Sequence, residues 1–94
     1  RLLEIMYQYP DYVLNIKGHT DDAPILSEKY PSNWELSSAR ATEVLKYLIK
    51  NGVEPERLTA TGYGSTLPLV SNTSPENRAK NRRVEFVLEK EAYQ

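Results

Sequence analysis

The sequence predicts an α/β fold of the α+β kind, with helices packed on one face of a mixed β-sheet. Three observations lead there. Helical and strand periodicities alternate as helix, strand, helix, strand, helix, strand, which requires crossover connections over one sheet. The stretch Ser32 to Gly52, SNWELSSARATEVLKYLIKNG, carries start and stop signals of a helix at its two ends. The segments YVLNIKG and RVEFVLE alternate apolar with polar residues, as a sheet covered on one face demands.

Each element follows from local chemistry. Leu2, Leu3, Ile5, Met6 and Tyr9 fit one helical face, and Pro10 ends that helix. No cap precedes it and the chain lacks an initiator Met, so the opening reads as the interior of a helix in a longer protein. Tyr12, Leu14 and Ile16 then alternate with Val13, Asn15 and Lys17 in a strand closed by Gly18. HTDDAPILSEKYP, with two prolines, is a loop.

In the long helix Ser32 caps the first turn and Glu35, three residues on, completes a capping box. Lys50 suits the negative end of the dipole, and Gly52 supplies the left-handed residue that terminates it. Ala41, Val44, Leu45 and Leu48 make its apolar stripe, with Arg40 off the centre. A cation so near the positive end of a helix calls for an anionic partner, in the protein or in a ligand. Pro55 opens a single helical turn, and Leu58 to Tyr63 is a second strand ended by Gly64. After the polar loop STLPLVSNT, Ser74-Pro75-Glu76 starts a short helix bearing Arg78, Lys80 and Arg82. Val84, Phe86 and Leu88, alternating with Arg83, Glu85 and Glu89, form the third strand.

Ninety-four residues make one small domain, residues 1–94, with 39% apolar and 27% charged residues. A net charge of −1 provides no bulk attraction to nucleic acid or to an anionic membrane, so a charged partner must meet a local cluster. There is no cysteine and one histidine, which rules out a disulfide scaffold, a thiolate metal site and a His-rich metal site. No apolar run approaches the roughly 20 residues of a membrane span.

Two clusters carry chemistry. Gly18-His19-Thr20-Asp21-Asp22 stands where a strand runs into a loop, a place where ligand sites gather. A metal there lacks ligands, a hydrolase triad lacks a nucleophile elbow, and His19 reads as a packing or hydrogen-bonded residue. Arg78, Lys80, Arg82 and Arg83 have acids nearby and no interleaved aromatics, so they do not predict nucleic-acid binding. Asp21 with Arg40 and the Arg82-Arg83 pair suits a zwitterion. A carboxylate accepts from an ammonium, and a guanidinium offers two parallel donors to a carboxylate. Spacing alone leaves open the alternative that Asp21 and Arg40 pair with each other.

GHTDD, SNWELSSARA, GVEPERL, TGYGSTLP and NRAKNRRVEFVL, in that order and with those gaps, resemble the OmpA-like peptidoglycan-binding domain from about Tyr12 to Glu89. Within that family the long loop and Trp34-Glu35-Leu36-Ser37 are most similar to the flagellar stator branch. Pal and OmpA-type outer-membrane anchors are the alternative; they usually have a Gly after the HTD segment, where Ala23-Pro24 stands here. The resemblance implies an OmpA-like two-layer sandwich whose first strand is missing from this chain. It implies non-catalytic binding of peptidoglycan, without a cofactor or metal, through the zwitterionic end of the stem-peptide diamino acid, usually diaminopimelate.

Asp21 and Arg40 would grip that end, with Thr20, Leu36, Ser37, Asn81, Arg82 and Arg83 beside them and the Leu36 and Ser37 amides turned to a carboxylate. It further implies a periplasmic location, an inner-membrane helix outside this chain, a MotA-like stator partner and a homodimer.

Overall fold

The computed structural model describes residues 1–25 and 27–91. Its elements are α1 (Leu2–Gln8), β1 (Tyr12–His19), α2 (Asn33–Lys50), a 3-10 turn (Pro55–Arg57), β2 (Leu58–Gly62), α3 (Pro75–Asn81) and β3 (Arg83–Lys90). The sheet order is β2-β1-β3, with β1 parallel to β2 and antiparallel to β3. It is therefore the mixed, open, helix-covered sheet that the alternating periodicities predict. β1 runs one residue past Gly18, because His19 still pairs opposite Arg83.

The ends of α2 follow the sequence signals. The Ser32 hydroxyl accepts from the Trp34 amide at 3.1 Å and also donates to the Glu35 carboxylate, which holds that carboxyl below its usual range. At the other end Gly52 takes φ +97°, its amide bonds the Ile49 carbonyl, and the Val53 amide bonds the Leu48 carbonyl, both at 3.0 Å. That is a Schellman closure, and its apolar pair, Val53 on Leu48, is buried. Ser74 caps α3 by accepting from the Asn77 amide.

The core lies between the sheet and the helices: Met6 from α1, Leu14 and Ile16 from β1, Ala41 and Leu48 from α2, Val53 and Leu58. Leu2, Leu3, Val44, Leu45 and Val84 complete it. α2 seats against β1 at Gly18, where an added methyl group would collide with the Ser37 carbonyl. Arg57 fastens the α1–β1 corner, its guanidinium donating to the Tyr12 and Tyr9 carbonyls at 3.0 and 2.7 Å. β3 is an edge strand. Phe86 and Leu88, opposite the buried Ile16 and Leu14, are 45% and 37% exposed, so the strand's apolar alternation is only half used among the described residues.

Two glycines should respond differently to mutation. Gly52→Ala meets no neighbour and should cost about 1–2 kcal/mol, the left-handed backbone penalty alone. Gly18→Ala must push α2 off the sheet and should cost about 3 kcal/mol or more by urea denaturation. Equal losses would contradict this account of the helix seat.

Candidate functional site

The β1–β3 register places the end of β1 next to the junction of α3 and β3, since His19 lies opposite Arg83. Asp21, two residues beyond His19, is buried there. One carboxylate oxygen accepts from the Ala23 amide at 3.0 Å in a tight turn, and the other accepts from Arg82 Nη1 at 2.7 Å. Arg78, one helical turn before Arg82, sits 3.6 Å from Asp22. The two adjacent acids thus meet an i, i+4 pair of arginines on α3. That spacing was visible in the sequence, and it is the signal that composition alone obscures.

Arg40 does not pair with Asp21. Among the described residues no ion pair joins them, and Arg40 is exposed. Its placement follows from helix geometry. At about 100° per residue, Asn33, Leu36, Ser37 and Arg40 share one flank of α2. Asn33 anchors that flank at the site, its amide donating to the Asp21 carbonyl at 3.4 Å and to the Ala23 carbonyl at 3.1 Å. Arg40 stands two turns, about 10 Å, farther along the axis. Helical Cα–Cβ bonds tilt toward the N-terminus, which along this flank is the direction of Asp21. The buried Asp21 and the exposed Arg40 thus stand apart on neighbouring elements, with Asn33 between them on the α2 flank.

The remaining residues expected at the site have structural tasks. Thr20 is buried, its hydroxyl donating to the Asp21 carbonyl at 2.8 Å and its amide to the Gly64 carbonyl at 2.9 Å. The Ser37 hydroxyl donates to the Trp34 carbonyl and accepts from the Gly64 amide, which ties α2 to the end of β2. The Leu36 amide, expected to face a ligand carboxylate, instead donates to the Ser32 carbonyl at 3.2 Å, because it already belongs to the helical ladder. Asn81 is fully buried and clamps the 69–72 loop: its oxygen accepts from the Leu69 and Val70 amides, and its nitrogen donates to the Val70 carbonyl and the Asn72 side chain. Arg83 bonds Glu85 and the Asn81 and Leu67 carbonyls. Of the residues expected at the site, Arg40 and Arg82 keep an exposed charge.

His19 is buried and stacked on Tyr63, with ring centroids 5.2 Å apart. Its Nε2 lies 3.3 Å from Glu85, yet neither ring nitrogen makes a well-aligned hydrogen bond among the described residues. Burial lowers its pKa, the Arg83 and Lys17 charges add to that, and Glu85 opposes them only in part. The ring is a neutral packing group, as the sequence suggests. Arg83 in turn holds Glu85 below the usual carboxylate range. A His that is harder to protonate folded than unfolded stabilises the fold fully above its ordinary value of about 6.5, and that stability is lost as pH falls below it. Thermal midpoints should therefore drop between pH 7.5 and pH 5.5, and His19→Gln should flatten that slope; a slope unchanged in the variant would contradict the assignment.

A family model described as the OmpA family matches residues 1–82. Motility protein B of Helicobacter pylori is 42% identical over 93 residues, covering 98% of this chain and 36% of that protein. The peptidoglycan-binding protein ArfA of Mycobacterium tuberculosis is 39% identical over 88 residues, 94% of this chain and 26% of that protein. The crystal structure of the C-terminal domain of Helicobacter pylori MotB superposes with a TM-score of 0.90 at 41% identity, covering 98% of this chain and 70% of that one. The chain thus spans about a third or less of the curated relatives it matches, and within that span fold, order and sequence agree. It belongs to the OmpA family.

Proposed function

We propose that this domain is a non-catalytic anchor that binds peptidoglycan by clasping the zwitterionic end of the stem-peptide diamino acid, of the diaminopimelate class. The observation that supports the reading is the separation of opposite charges on neighbouring elements. Asp21 is held by its own turn and by Arg82, while Arg40 stands on the facing flank of α2 without an ion-pair partner among the described residues.

A carboxylate has about four lone-pair positions, so Asp21 keeps acceptor capacity for an ammonium beyond its two present partners. Arg40 offers its planar fork to the ligand carboxylate, and Arg82, half exposed, is close enough to share it. Thr20, Ser37, Asn81 and Arg83 position these groups rather than touch the ligand, and Leu36 packs beside them. Each charge-assisted bond nets about 1.5–3 kcal/mol, which gives a modest affinity suited to a reversible hold on a repetitive polymer.

The likeness to a motility protein supports a periplasmic stator anchor, in which a membrane segment outside this chain engages a MotA-like subunit and two copies act together. The name of the mycobacterial relative supports the ligand class. Co-sedimentation with purified sacculi tests the site. Asp21→Asn, which can keep the turn to Ala23, and Arg40→Ala should each lower the bound fraction about tenfold or more while leaving the circular dichroism unchanged. Unchanged pelleting of both variants would overturn the assignment, and release of soluble muropeptides by the wild-type chain would overturn the non-catalytic reading.

A further inference from the structure

Beside Asp21 lies a cleft of about 280 Å³, with Pro24, Pro31, Asn33, Trp34, Ser65 and Thr66 among its walls. We propose that this cleft is a saccharide subsite, in which the Trp34 indole stacks on the apolar face of an N-acetylhexosamine of the glycan strand. The inference rests on the peptidoglycan reading above and names a second part of the same ligand.

Four features of the cleft carry it. Trp34 is 54% exposed although it is the largest apolar side chain of the molecule, and an exposed indole at a cleft wall is a binding surface looking for a partner. Its ring is held flat against the backbone at Gly64, where a methyl group would come within 3.4 Å of the indole. The platform is therefore preorganised, which lowers the ordering cost of binding.

The lining also carries polar groups of the kind a sugar requires. The Ser65 hydroxyl and the Asn33 side-chain oxygen have no hydrogen-bond partner among the described residues, whereas the Asn33 nitrogen is committed to the Ala23 and Asp21 carbonyls. One apolar platform with a few open hydroxyl and amide groups matches a pyranose, whose faces are C–H and whose rim is hydroxyl and acetamido.

Asn33 also fixes the distance between the two parts. It lines the cleft and at the same time bonds the Asp21 backbone, so the cleft and Asp21 are neighbours across one side chain. A stem peptide reaches its diamino acid about three residues from the sugar, a span of about 10 Å when extended, which is the scale of one side chain and one helical turn.

Trp34 is the single tryptophan of the chain, so its emission reports on this cleft directly. The 94-residue chain would be titrated with a disaccharide-tripeptide bearing diaminopimelate, with the peptide-free N-acetylglucosamine tetramer, and with free diaminopimelate. Both sugar-bearing probes should change the emission saturably, and free diaminopimelate should leave it flat. By calorimetry Trp34→Ala should weaken the disaccharide-tripeptide about tenfold and free diaminopimelate less than about twofold, and Trp34→Phe should recover most of the loss. Because Trp34 is half exposed, the variants should keep the wild-type circular dichroism; should Trp34→Ala not fold, the emission titration of the wild type decides alone. Flat emission with both sugar probes, or equal affinities in wild type and Trp34→Ala, would overturn the subsite. Binding of free diaminopimelate with no gain from the sugar defeats this inference alone, whereas failure of diaminopimelate itself defeats the functional reading beneath it.

Discussion

The close seat of α2 on β1, where Gly18 admits the Ser37 backbone, is the constraint on which the rest of the molecule depends. It fixes the height of the helix over the sheet and so decides where the first turn of α2 falls relative to the end of β1. Ser37 then reaches the Gly64 amide, Asn33 reaches the Asp21 backbone, and Trp34 lies over Gly64. A side chain larger than hydrogen at position 18 would move these contacts together, because the packed helix shifts as one body. Binding geometry and stability thus share a single close approach.

The electrostatics build on that seat. Asp21 is buried enough that an unpaired charge would be costly, and it is held by one amide and one guanidinium. Arg82 supplies the guanidinium because the β1–β3 register delivers it there, one residue before Arg83. Arg40 is excluded from that pair by about two helical turns and remains in solvent. Asp21 and Arg40 are thereby kept from pairing with one another.

Much of this was legible in the sequence. The caps of α2 and α3, the Gly52 stop and the alternation of β1 are local chemistry, and the structure follows them within a residue or two. Asp21 and Arg40 also stood out, though only as an open choice between a salt bridge and a clasp. What the sequence could not settle was which arginine meets Asp21, since that depends on strand register between residues 61 positions apart. For the same reason Asn81 and Ser37 read as site residues, while their hydrogen bonds to the 69–72 loop and to Gly64 make them braces. The Arg57 clamp on the Tyr9 and Tyr12 carbonyls left no sequence signal at all, because backbone carbonyls carry no residue identity. Phe86 and Leu88 were expected on a covered face, yet the described residues cover them only in part, and Leu88 borders an open cleft beside Ile5, Tyr9 and Tyr12.

Where the two charges of a ligand come to rest is read from a crystal structure of the chain soaked with meso-diaminopimelate. The account predicts the ligand ammonium within hydrogen-bond distance of an Asp21 oxygen and the adjacent carboxylate bridging to Arg40. Density for the ligand elsewhere, with Arg40 still turned to solvent and Asp21 touching only Arg82 and Ala23, would contradict it.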